Sequence, residues 1–153
     1  MTPLLPAVLA ALGLWSGALT GDGLVQLRSN ATAAETIARV EPALASRGLR
    51  LFVTVDHAAN ARGVGLELRP STVFVFGNPT VGTRLMQCAP TAAIDLPLKL
   101  LVWQEVDGAV WVGVNDPVWL AERHGAGECG GVVQAMRQAL RSLVAEVAGQ
   151  PAG

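Results

Sequence analysis

Charge is scarce in this sequence. Lysine, arginine, aspartate and glutamate make up only 15% of its 153 residues, and the net charge is −1. That share lies well below the usual quarter, so long disorder is excluded. A balance so close to neutral also offers no footprint for nucleic acid or an anionic membrane. Cysteine is nearly absent, and two residues cannot build a disulfide scaffold or a four-thiolate zinc site. The two histidines, His57 and His124, lack His-x-x-x-His spacing, and the cysteines lack Cys-x-x-Cys spacing. No metal site and no cofactor are therefore expected. Nucleophile-elbow, Walker and zinc-protease signatures are missing as well, which leaves catalytic residues unassigned.

What the chain does have is apolar surface, at 51% hydrophobic residues. Leu4 to Leu19 is uncharged, but it is short and broken by Pro6, Gly13 and Gly17. A membrane span wants about 20 apolar residues, whereas a secretory signal peptide tolerates this length. Ser16-Gly17-Ala18 has the small-residue spacing of a cleavage site. The sequence thus predicts a signal peptide over 1–22, one domain over 23–149 and a tail over 150–153. A periplasmic or secreted location follows, the alternative being membrane anchoring through an uncleaved leader. The leader does not explain the composition, since residues 23–153 are still about half hydrophobic.

Within the domain, Leu24 to Leu27 reads as a strand. Thr32 and Glu35 have capping-box spacing ahead of Ile37, Val40 and Leu44, with Pro42 expected to bend that helix. Leu51 to His57 reads as a strand with Leu51, Val53, Val55 and His57 on one face, and Thr72 to Phe76 as a strand apolar on both faces. Asp107-Gly108 fits a two-residue type I′ turn. That turn would pair Gln104 with Trp111 and Trp103 with Val112, burying Leu101, Trp103, Val110, Val112 and Val114. Asn115-Asp116-Pro117 reads as a helix cap and start, and Val132 to Val147 as a long amphipathic helix. The pattern is α+β: an antiparallel sheet with two main helices.

Gly125-Ala126-Gly127-Glu128-Cys129-Gly130 spells G-x-G-x-x-G but follows a helix, so it is read as a glycine-rich loop and not as a dinucleotide site. Cys88 and Cys129 are open to three readings: a bridge, two free thiols with a redox role, or an incidental pair. His57 beside Asp56 could act as a general base or be merely structural. His124 at a helix C-terminus has a sufficient structural reason.

A family resemblance emerges from several runs taken together. They are Asp56-His57-Ala58-Ala59-Asn60-Ala61, Gly65-Leu66-Glu67-Leu68-Arg69-Pro70, Phe76-Gly77-Asn78-Pro79, Gly82-Thr83-Arg84-Leu85-Met86, Asp95-Leu96-Pro97-Leu98-Lys99 and Asn115-Asp116-Pro117. In order and spacing, over roughly residues 23 to 125, they resemble the domain-of-unknown-function family 302. The resemblance implies a β-α-β-β-β-β-α arrangement like that of TATA-binding-protein halves, in small bacterial and archaeal proteins that can dimerise. It supplies no activity, so no catalytic residue is carried over. Cys88 and Cys129 do not match family hallmarks, and the leader is an addition to the bare domain.

Turn duties can account for Asn78 and Asp95, with Asn78 closing a strand and Asp95 preparing the entry to Pro97. Alternatively, Asp56, His57, Asn78 and Asp95 form the rim of a ligand pocket. The function expected is an exported, non-enzymatic module, homodimeric, binding a small-molecule ligand or a partner protein. The alternative is an enzyme or redox factor using Asp56 and His57, or Cys129.

Overall fold

The computed structural model describes residues 23–151. The predicted leader and the last two residues of the tail lie outside them. Strand β1 (Leu24–Arg28) is followed by helix α1 (Ala33–Ala45), β2 (Arg50–Asp56), α2 (His57–Gly63) and β3 (Ser71–Gly77). Then come α3 (Pro79–Cys88), β4 (Leu98–Gln104), β5 (Val110–Asn115), α4 (Pro117–Arg123) and α5 (Gly130–Ala148). The five strands form one sheet in the order β1-β5-β4-β3-β2, antiparallel throughout. The α+β architecture and the strand count agree with the sequence. Helices α2 and α3 are additional.

Helix α1 starts where the capping box places it. Thr32 Oγ1 accepts from the Glu35 amide at 3.3 Å, and Glu35 Oε2 accepts from the Thr32 amide at 3.0 Å. The helix continues through Pro42 to Ala45. It lies with α5 on one face of the sheet. Val40 and Leu44 from α1, and Leu140, Leu143, Val144 and Val147 from α5, meet Phe74, Phe76, Leu100, Val102, Val112 and Val114 there. Each such side chain contributes about 1.5–3 kcal/mol by leaving water. A second cluster joins α3, α4 and the first turns of α5 through Leu85, Ala121, Val133 and Met136.

Two strand faces differ from the sequence expectation. Gly108 has φ 85°, but no other residue between β4 and β5 has positive φ, so the type I′ turn is not made. Instead Glu105 donates to the Ala109 carbonyl at 2.8 Å and Gly108 to the Glu105 carbonyl at 3.0 Å, closing a three-residue loop. The extra residue shifts β4 by one, so Trp103 faces Trp111 and Val102 faces Val112. Leu100 and Val102 therefore fill the core, while Leu101 and Trp103 turn outward. In β2 a register shift between Leu51 and Val53 leaves Leu51 inward, opposite Phe76, and turns Val53 and Val55 outward, opposite Val75 and Val73.

Candidate functional site

Asp56 and His57 sit where β2 meets α2. Asp56 is the helix cap, its Oδ1 accepting from the Ala59 amide at 2.8 Å, and His57 is the first, exposed residue of the helix. Asn78 does the same for α3. Its Oδ1 accepts from Thr80 and Val81 at 2.9 and 3.3 Å, and Pro79 occupies the first helical position. The expected strand-closing turn is thus a helix start. Because β2 and β3 are antiparallel, with Asp56 opposite Thr72 and Gly77 opposite Arg50, these two caps occupy opposite ends of the sheet. Their separation is roughly 20 Å at about 3.3 Å per residue. Asp95 belongs to the Asn78 end, since Leu98 pairs with Phe76. The four residues therefore do not form a single rim: the hairpin's own length divides them.

Asp95 has a different set of partners. Its Oδ2 lies 2.5 Å from His124 Nε2 and its Oδ1 3.3 Å from Arg123 Nη1, while His124 Nδ1 lies 3.0 Å from Thr91 Oγ1. The His124 side chain is only 6% exposed. A hydroxyl, an imidazole and a carboxylate are thus aligned. They join the connection after α3 to the end of α4. Cys88 and Cys129 form a disulfide at the same corner, with a Cα–Cα distance of 6.2 Å, which decides among the three readings of the pair. No free thiol is left among the described residues. Next to this corner, buried Asp116 caps α4 through the Val118 amide at 2.8 Å and accepts from Arg137 Nη2 at 3.1 Å. These polar groups fasten elements together. Thr91 and the 28- and 29-residue separations of Arg123 and His124 from Asp95 had no local sequence signal.

The outward-facing residues of the sheet, on the face opposite α1 and α5, belong to neither of the two apolar clusters. That face presents Trp103, Trp111, Leu101, Val73, Val75 and Val55, all half-buried. Trp103 and Trp111 are stacked at 6.4 Å with an interplanar angle of 21°, and Trp103 Nε1 donates to Glu105 Oε1 at 2.7 Å. A Cβ at Gly113 would stand 3.0 Å from the Trp103 ring, so glycine lets the indole lie flat on the sheet. Sequence reasoning put Trp103 in the core because it counted the turn one residue short. Among the described residues no group of three or more His, Cys, Asp or Glu could hold a metal ion, and no helix is long and apolar enough to cross a membrane.

The model of the domain of unknown function DUF302 matches residues 25–146. The chain belongs to the DUF302 family. It is also 47% identical over 106 residues to the fluoride-specific ion channel FluC 1 of Brucella suis, covering 69% of this chain and 42% of the relative. The same identity and length hold for FluC 1 of Brucella abortus, 39% of which is covered. The DUF302 chain thus spans about two fifths of the curated relatives it matches. Among solved structures, it resembles the crystal structure of an uncharacterized conserved DUF302 protein from Bacillus stearothermophilus. The TM-score is 0.74 at 20% identity, over 82% of this chain and 98% of that one. The two share the fold.

Proposed function

We propose that this DUF302 chain is an exported, non-enzymatic module that docks through its open sheet face onto a membrane transport protein. The observation that carries the reading is the apolar face itself, with the stacked Trp103 and Trp111 at its centre. Aromatic side chains are enriched where proteins bind one another, and contiguous apolar surface marks such sites. The Brucella relatives supply the kind of partner. In each, a stretch 47% identical to this chain lies within a protein named as a fluoride-specific ion channel. The Cys88–Cys129 bridge supports an oxidising compartment. The competing enzyme or redox reading has less to stand on, because Cys129 is bridged and the Asp56 carboxylate is taken up by its helix cap.

A fluoride channel from the same cells, held in nanodiscs, tests the proposal by surface plasmon resonance on the immobilised chain. Saturable binding that is lost in Trp103→Ala/Trp111→Ala supports it. No binding, or binding unchanged in the double variant, overturns it.

One observation favours a small ligand as a second reading. Where α1 and edge strand β2 part, an apolar groove of about 770 Å³ is lined by Ile37, Pro42, Leu49, Leu51 and Phe74. Retention of an apolar dye by the protein, lost in Leu49→Glu, would support that reading, and failure to retain it would count against it.

A further inference from the structure

Residues 62–70, from the end of α2 to the start of β3, are nine consecutive exposed positions. Three of them are large aliphatics: Val64 is 74% exposed, Leu66 65% and Leu68 52%. Free apolar side chains in such a row call for a cover.

The backbone of this segment alternates in its use. The Leu66 amide donates to Ala61 at 2.9 Å, and the Pro70 carbonyl accepts from Gln104 at 3.0 Å. Pro70 has no amide hydrogen to offer. Between them, Glu67, Leu68 and Arg69 make no backbone hydrogen bond among the described residues. Residues 66–69 belong to no helix or strand of the fold, and in a segment that extends against a partner successive residues direct their backbone groups to opposite edges. Leu66 and Pro70 therefore spend one edge on their own chain, while Glu67 and Arg69 offer the other edge unspent.

We infer that Leu66–Pro70 is the two-fold interface with a second copy of this chain, pairing antiparallel about Leu68. In that register Glu67 faces the partner's Arg69 and Arg69 the partner's Glu67. These are the hydrogen-bonded positions, so four backbone bonds form from groups with no other partner. The two Leu68 side chains meet on the axis, and each Leu66 packs on the partner's Pro70. Moving the axis by one residue, to Glu67 or to Arg69, would oppose like charges there. The segment is complementary to itself in charge, apolar pattern and backbone. A bilayer would accept the leucines but leave the backbone donors and acceptors of Glu67 and Arg69 unpaired. The homodimer expected from the two-faced strands is thus seated on this arm, which leaves the open sheet face free.

Two charge variants of the 153-residue chain test the pairing in analytical ultracentrifugation. Glu67→Arg alone and Arg69→Glu alone each oppose like charges across the axis and should be monomeric. Mixed in equal amounts, they should form a dimer, because each then meets its opposite. Leu68→Asp should weaken wild-type association roughly a hundredfold, with far-UV circular dichroism and melting unchanged for so exposed a residue. A monomeric wild type, or a mixture that stays monomeric, overturns the inference. So does a dimer indifferent to Leu68→Asp. Binding of the wild type to neutral lipid vesicles, lost in Leu68→Asp without any self-association, would assign the arm to a membrane instead. None of these outcomes depends on channel binding by the sheet face.

Discussion

Trp103 and Trp111 stack across the β4–β5 ladder on the side of the sheet away from α1 and α5. Direct cross-strand partners of this type couple their stabilities. A double-mutant cycle between Trp103→Ala and Trp111→Ala is expected to give about 0.5–1.5 kcal/mol of coupling in urea denaturation. Coupling near zero would contradict the stacked pair.

The shifted register makes neighbouring leucines unequal. Leu100 is wholly buried against α1 and Phe74, whereas Leu101 faces outward. Leu100→Ala should cost about 2–5 kcal/mol of unfolding free energy, and Leu101→Ala clearly less. The two-residue turn expected from Asp107-Gly108 predicts the reverse order, so equilibrium denaturation decides between the two registers.

The disulfide closes a sequence separation of 41 residues. Replacing both cysteines by serine should lower stability by about 2–4 kcal/mol, read from the shift in denaturation midpoint with and without reductant. The wild type should respond to reductant. The double variant should not. An equal response of both would place the stabilisation elsewhere.

Glu35 adds a dependence on acid. The Thr32 hydroxyl, and then the Thr32 amide, hydrogen-bond its carboxylate and hold its pKa below the usual glutamate value. A lowered folded pKa means the contribution is present above the ordinary glutamate range and is lost as pH falls through the folded value. Glu35→Gln should therefore be less stable than wild type near neutrality, with the gap closing in acid. Melting curves across pH 2–7 measure it (roughly the window set by the usual carboxylate pKa), and a gap that widens in acid would refute the capping-box assignment.

Asp116→Asn should keep the α4 cap while losing the ion pair to Arg137. Asp116→Ala loses both. The alanine variant is expected to be the less stable by about 1 kcal/mol in thermal or urea unfolding, the ordinary value of an N-cap. Equal stability of the two would deny the cap.

Local chemistry was readable where a residue acts on its near neighbours. Thr32 with Glu35, Asp116 with Pro117 and the apolar stripe of α5 each act within a turn or two of helix. The alternation along β4 was readable too, but not its phase. Phase depends on one residue in a loop, and Asp107-Gly108 fits loops of two lengths. Asp56 and Asn78 were recognised as polar features at strand ends, yet the short helices they start have few apolar residues to signal them. The grouping of Thr91, Asp95 and His124 and the bridging of Cys88 to Cys129 are products of tertiary approach, which no spacing along the chain encodes. The segment proposed to pair with a second copy lay in plain view as Leu66-Glu67-Leu68-Arg69. Only its missing partner within the fold made it informative.

Strands β1 and β2 are successive in the chain but stand at opposite margins of the sheet, so α1 spans its whole width between them. One helix thus retains both margins. A protease cut within α1 would leave β1 attached only through its pairing with β5, whereas β2 stays joined to β3 through α2 as well as by pairing. Limited digestion within that helix should accordingly shed the fragment that carries β1 and leave β2 to β5 on one piece.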